Sequence, residues 1–156
     1  PTSQQLAEIA AMTVAEVQRF GIPPKVAFLS HSSFGSSSSA SAKKMRLARD
    51  LFAAANPDVE CDGEMHGDAA MSDDIRKAYL PGSTLHGSAN VLICPNLDSA
   101  NILFNVLKIT SSEGVTVGPV LLGSSAPVHI LNPSSTVRRY VNMIALAAAN
   151  AGAGKA

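Results

Sequence analysis

Polar groups able to do chemistry fall in three clusters of this chain. The first is Ser30-His31-Ser32-Ser33-Phe34-Gly35-Ser36-Ser37-Ser38-Ser39, small hydroxylated residues between an apolar run and a helical pattern. A serine and glycine loop between a strand and a helix can cradle phosphates with backbone N–H groups. It is neither a G-x-G-x-x-G nor a G-x-x-x-x-G-K-[ST], so it specifies no nucleotide, and a polar loop without a ligand is an equal reading. The second cluster is Asp98, Asn101, Asn105 and Lys108, spaced three, four and three apart and hence one stripe on a helix. Its amides suit hydrogen bonds to a ligand; the plain alternative is the solvated face of a core helix. The third is Asp62, Glu64, His66 and Asp68, which a strand would place on one side. These are metal-ligand types, but Gly63 and Gly67 bend such a strand, and polar strand ends commonly face solvent or a partner.

Other chemistry finds less support. His31, His66, His86 and His129 are dispersed, and no G-x-S-x-G elbow accompanies them. No Cys and His spacing matches a zinc site. Cys61 and Cys94 both fall in strand candidates, where a lone Cys is more often a small buried hydrophobe, which suits a reducing cytoplasm.

The elements that must position these groups follow from periodicity. Thr2 to Phe20 carries Leu6, Ile9, Ala10, Thr13, Val14, Val17 and Phe20 at helical spacing, with Thr2 and Gln5 as a capping box and Gly21 and Pro23 as a stop. Lys25 to Leu29 reads as a strand. Ala40 to Ala55 reads as a helix with Met45, Ala48, Phe52 and Ala55 inward. Val59 to His66 is a strand, and Ser72, Asp73 and Asp74 open a short helix that stops before Pro81-Gly82. Val91 to Cys94 is a strand buried on both faces. A turn at Pro95, where Asn96 and Asp98 offer caps, leads into a nearly uniformly apolar helix through Ile109. Val115 to Leu122, broken at Gly118-Pro119, and Val128 to Leu131 are further strands. Ser134 or Ser135 caps a last helix whose buried face is Val137, Tyr140, Val141, Ile144, Ala145 and Ala148. About five strands alternating with helices predict a three-layer α/β/α domain with a largely parallel sheet.

Composition limits the partners. With 156 residues, 46% of them hydrophobic, the chain fits one domain with a real core. Lys plus Arg and Asp plus Glu balance at 12 each, which removes the electrostatic case for nucleic acid or an anionic membrane. No apolar run reaches the roughly 18 residues that a membrane span needs, and no signal peptide is recognisable. The apolar excess predicts a self-associating surface, most simply a homodimer. A chain beginning at Pro1 rather than Met reads as a fragment of a longer polypeptide.

Asp62-Gly63-Glu64, Asp68-Ala69-Ala70, Ala89-Asn90-Val91-Leu92 leading to Pro95-Asn96-Leu97-Asp98-Ser99-Ala100-Asn101-Ile102, and Gly118-Pro119-Val120-Leu121 occur in unbroken order. Together they resemble the phosphate acetyl/butyryltransferase family, over about Lys25 to Ala145. The resemblance implies the isocitrate/isopropylmalate dehydrogenase-like fold of phosphotransacetylase, with residues 1–156 forming the second of two α/β domains that meet at an acyl-CoA and phosphate cleft.

Leu29-Ser30-His31-Ser32-Ser33-Phe34-Gly35-Ser36, Asp62-Gly63-Glu64-Met65-His66 and Pro127-Val128-His129-Ile130-Leu131 before Ser135-Thr136-Val137-Arg138-Arg139 are closer still to the C-terminal phosphotransacetylase-like region of large NADP-dependent malic enzymes. Active transferases of the family have a Ser-Arg pair after the final strand and an acid in the next helix. Here Asn132, Pro133 and Arg139 stand there, removing a cation for acyl phosphate and an acid for the thiol proton. The resemblance therefore implies a domain with no catalytic residues of its own. Acetyl-CoA would act as allosteric effector, while NADP, a divalent metal and malate decarboxylation belong to an N-terminal region of the same polypeptide. A working phosphate acetyltransferase and a ligand-free assembly module remain the alternatives. The acyl-CoA or phosphate contacts so implied are Ser32, Ser33, Gly35, Ser36, Asn96, Asp98, Asn101, Asn105, Asn132 and Ser134.

Overall fold

The computed structural model describes residues 1–110, 117–133 and 135–153, and the chain divides into two compact units, Pro1–Leu103 and Phe104–Ala156. The first unit opens with α1 (Ser3–Arg19), β1 (Lys25–Leu29), α2 (Ala40–Ala55) and β2 (Glu60–Met65). Two short helices follow, α3 (Gly67–Met71) and α4 (Asp73–Tyr79), then β3 (Val91–Ile93) and α5 (Leu97–Thr110), which runs across the boundary. The second unit carries α6 (Val137–Ala153).

The sequence signals for the first unit act locally, and most of the chain obeys them. Thr2 accepts from the Gln5 N–H while the Gln5 side chain accepts from the Thr2 N–H, so two of α1's free donors are satisfied reciprocally. Gly21, at φ 72°, turns the chain out of α1. Ser39 caps α2 by accepting from the Ala42 N–H, and Ser72 caps α4 through the Ile75 N–H.

The sheet is parallel, in the order β2-β1-β3. Along β1 the side chains alternate between two cores. Val26 and Phe28 face Leu6, Ala10 and Val14 of α1 and Met45, Ala48 and Phe52 of α2, with Cys61, Val91 and Ile93 beside them. Ala27 and Leu29 face the opposite cluster of Met65, Ala69, Ala70, Leu80, Leu85 and Ala89. That gives the α/β/α layering within this unit. The rings of Phe28 and Phe52 meet at 5.8 Å, tilted by 52°, and both are fully buried, each contributing roughly 1.5–3 kcal/mol from burial.

Four expectations are corrected. Among the described residues the sheet has three strands, not about five: 117–122 and 128–131 join no ladder. Pro119 and Pro127 lack a ladder donor, and the Gly118 N–H goes to the Met143 sulfur at 3.1 Å. Residues 115 and 116 lie outside the described residues. The apolar helix α5 buries none of its side chains; Ile102 is 65% exposed and Ile109 80%. On α6 it is Met143 that is buried, while Val137, Val141 and Ile144 are exposed. Periodicity marks an apolar face without supplying what covers it. Finally, β2 does not alternate: Cys61 through Met65 are all buried. Among the described residues no helix is long and apolar enough to cross a membrane.

Gly63 explains how β2 leaves regular geometry. Its φ is +134°, and a Cβ there would sit 2.6 Å from the Phe28 carbonyl oxygen on the central strand. The β1 and β2 register also shifts between Phe28 and Leu29. Gly63→Ala is therefore expected to destabilise the fold by about 1–3 kcal/mol or more in urea denaturation. Gly67→Ala, with nothing within 4 Å of the new methyl, stays near wild type. Equal midpoints for the two variants would contradict the close-approach account.

Candidate functional site

Parallel strands deliver their carboxyl ends to one edge of a sheet, where α/β proteins place ligands. The serine loop leaves β1 there, and the β3–α5 turn leaves β3 there. The end of β2 reaches the same loop: the His66 N–H donates to Ser33 Oγ at 3.2 Å, and His66 Nε2 donates to the His31 carbonyl at 2.9 Å. Because a carbonyl only accepts, Nε2 of His66 carries a proton. Lys44, in the first turns of α2, donates to the Pro95 carbonyl at 2.6 Å and ties the loop's helix to the turn.

At the centre of the loop lies a carboxylate from the neighbouring strand. Glu64 is 0% exposed. Its Oε1 accepts from the Ser32 hydroxyl at 2.7 Å, the Gly35 N–H at 3.0 Å and Arg46 Nη2 at 3.0 Å, and its Oε2 accepts from Arg46 Nε at 2.9 Å. The Phe34 N–H donates to the Glu64 carbonyl as well, at 2.9 Å. Phe34 and Gly35 turn through left-handed backbone, φ 47° and 90°, to present these groups. Burial pushes the Glu64 carboxyl up, but the Arg46, Ser32 and Gly35 hydrogen bonds together outweigh it and leave it at about 2. The same hydrogen bond raises the Arg46 guanidinium.

The remaining donors of the loop also turn inward. The N–H groups of Ser32 and Ser33 go to Ser30 Oγ and Ser36 Oγ, and that of Ser37 to Ser32 Oγ. The Ser36 N–H goes to the Ser33 carbonyl. Every backbone N–H from 32 through 37 is thereby engaged within the protein. A phosphate cradle of free N–H groups, one of the two equal readings of the loop's composition, is not what residues 32–37 offer. It offers hydroxyls, the exposed Ser36 and Ser38 among them, and the imidazoles of His31 and His66. His31 Nε2 lies 3.3 Å from both Ser37 Oγ and Ser39 Oγ.

The other sequence-derived residues divide by unit. Asn96 caps α5, its Oδ1 accepting from the Ser99 N–H at 2.9 Å, and Asp98 and Asn101 are exposed on the first turns of that helix. These belong to the first unit with Ser32, Ser33, Gly35 and Ser36. Asn105 and Asn132 belong to the second. Asn105 Oδ1 accepts from Lys108 at 3.2 Å, and the Asn132 carbonyl accepts from Ser135 N–H and Tyr140 hydroxyl. Ser134 lies outside the described residues, and Thr136 rather than Ser135 accepts from an N–H at the start of α6, that of Arg139. Asp62, read with Glu64 as a metal-like face, accepts from Ser83, Thr84 and Gly63 instead. Among the described residues no group of three or more His, Cys, Asp and Glu is arranged to hold a metal ion. A separate cleft of about 540 Å³ runs along β3 between α1 and the start of α5, and its lining is predominantly apolar.

Sequence reasoning missed Arg46 and the loop-facing role of Glu64. The signal for them is slight: an acid within a strand candidate and an Arg on the helix that precedes that strand.

Comparison with known proteins bears on this arrangement. The family model described as phosphate acetyl/butaryl transferase matches residues 1–148. An NADP-dependent malic enzyme of Salmonella typhimurium is 57% identical over 97% of this chain, and a phosphate acetyltransferase of Buchnera aphidicola is 36% identical over 94% of it. The chain spans about a fifth of the length of these relatives, 20% in each case. The solved EutD phosphotransacetylase from Staphylococcus aureus superposes with a TM-score of 0.84 at 33% identity, covering 96% of this chain and 47% of its own.

The Glu64 centre has a consequence for acid stability. The folded-state carboxyl titrates at about 2 and the unfolded one near 4.5, so its contribution is complete above about pH 4.5 and is lost as pH falls toward 2. The shift corresponds to on the order of 3 kcal/mol. Glu64→Gln lacks this dependence. Urea denaturation at pH 6 and pH 3 is expected to show a stability gap between wild type and Glu64→Gln that narrows at the lower pH. A constant gap would mean that the ionised carboxylate is not what the loop depends on.

Proposed function

Because the chain belongs to the phosphate acetyl/butaryl transferase family, we propose that it is the acyl-CoA-sensing regulatory domain of a malic enzyme rather than a working transferase. The observation that carries this reading is a joint one. Identity is 57% to a malic enzyme against 36% to a phosphate acetyltransferase, and by the family resemblance Asn132-Pro133 and Arg139 take the places of a transferase's Ser-Arg pair and acid. A domain that keeps the acyl-CoA fold but loses the cation for acyl phosphate and the acid for the thiol proton retains binding without turnover.

The edge formed by the serine loop and the first turns of α5 supports this reading. An acyl-CoA presents phosphates, amides and a thioester, and the loop hydroxyls, His31, His66 and the exposed amide of Asn101 suit them without a fixed positive cluster. Acetyl-CoA binds there as an inhibitor of oxidative malate decarboxylation. NADP and the divalent metal of that reaction are held by the N-terminal region of the same polypeptide. The assembly is a cytoplasmic homo-oligomer, most simply a dimer.

A second reading, an assembly module without a ligand, is favoured by the apolar residues α5 and α6 leave exposed, Ile102, Ile109, Val137 and Ile144 among them. In that case acetyl-CoA leaves no heat in a titration of the polypeptide. Acetyl phosphate formed from acetyl-CoA and phosphate would instead favour the transferase.

In the full polypeptide, Asn101→Ala is expected to remove a contact worth about 0.5–1.5 kcal/mol. That raises the acetyl-CoA concentration for half-inhibition by a few-fold to about tenfold. The rate without acetyl-CoA is the control, and inhibition unaltered in the variant contradicts the placement of the site.

A further inference from the structure

The donors that converge on Glu64 are those that would bind a free anion: one hydroxyl, one backbone N–H and the two-pronged guanidinium of Arg46. Here they hold a carboxylate fixed to β2, the strand beside the one that feeds the loop. Ser32, which is fully buried, links this anion to the rest of the loop, since its Oγ also accepts from the Ser37 N–H and lies 3.2 Å from Ser36 Oγ. Arg46 Nη2 reaches the Ser37 carbonyl as well, at 3.4 Å. An internal anion therefore does what a bound phosphate does in other serine and glycine loops: it fixes the turn.

We propose that Glu64 is a positioning residue for the acyl-CoA rim, shaping the Ser30–Ser37 loop from below so that its hydroxyls and imidazoles, rather than its N–H groups, meet the ligand. This rests on the proposed acyl-CoA reading for its ligand, though not for its structural half. Free phosphate has no access to the Ser32, Gly35 and Arg46 donors while Glu64 occupies them. The loop arrives at binding already ordered, so little of the affinity is lost to ordering it.

Removing the carboxylate leaves a half-buried guanidinium, a buried hydroxyl and an N–H without their acceptor. In Glu64→Ala the vacated space is lined by those same donors and can admit a small carboxylate such as formate. In Glu64→Gln an amide NH2 group confronts donors where an oxygen accepted. Neither variant alters an exposed group of the rim.

The test compares wild type, Glu64→Gln, Glu64→Ala and Leu6→Ala in the full polypeptide. Leu6→Ala lies in the α1 core away from the loop and controls for lost stability. Acetyl-CoA affinity and amide hydrogen exchange of residues 30–38 are read for each. Glu64→Gln is expected to bind acetyl-CoA about tenfold more weakly and to exchange faster across 32–37, with Leu6→Ala unchanged in both. Formate in the tens of millimolar is expected to slow that exchange and recover affinity in Glu64→Ala only. If Glu64→Ala does not fold, Glu64→Gln decides. Unchanged exchange in Glu64→Gln, or loss matched by Leu6→Ala, overturns the proposal whether or not acetyl-CoA binds. Wild type that ignores acetyl-CoA sinks the acyl-CoA reading alone, and the exchange data then still test the loop.

Discussion

A carboxylate with no exposed surface needs a compensating charge and a full set of donors, and Glu64 has both. Much of the sheet's carboxyl-end edge depends on this. The Arg46 fork fixes where the middle of α2 stands against β2, and Ser32 and Gly35 fix the path of the loop between β1 and α2. Three separate parts of the chain, β2, α2 and the loop between β1 and α2, thus meet at one anion. Replacing Arg46 would leave a buried charge without its partner, which costs more than an exposed ion pair contributes.

What was legible in the sequence was local. Thr2 and Gln5, Gly21 and Ser72 act within a few residues of themselves, and the ends of α1 and the start of α4 fall where they indicate; the Ser39 cap of α2 is found only in the structure. Alternation along Val26 to Leu29 likewise needs only the pleat. The Glu64 centre is the opposite case, joining residues 18, 29 and 32 positions apart, and no periodicity links such distances. Gly63 read only as a bend; its contact with the Phe28 carbonyl exists once β1 and β2 are paired.

Three of the four corrected expectations share a cause. An apolar stripe or run states a need for cover, and α5, α6 and the segments after Gly118 carry that need without meeting it among the described residues. The site residues divide the same way. Ser32 and Gly35 are expected as ligand contacts, yet the donors they present go to the Glu64 carboxylate, because composition cannot tell which way a hydroxyl or N–H points.

The central claim is that an acyl-CoA sits against the serine loop and the first turns of α5. Photolabelling the full polypeptide with an acyl-CoA carrying a diazirine on its acyl chain, followed by peptide mapping, tests it most directly. The account predicts adducts within residues 30–38 and 96–101 that excess acetyl-CoA suppresses. Adducts confined instead to the apolar cleft along β3 and α1, or insensitive to acetyl-CoA, would contradict it.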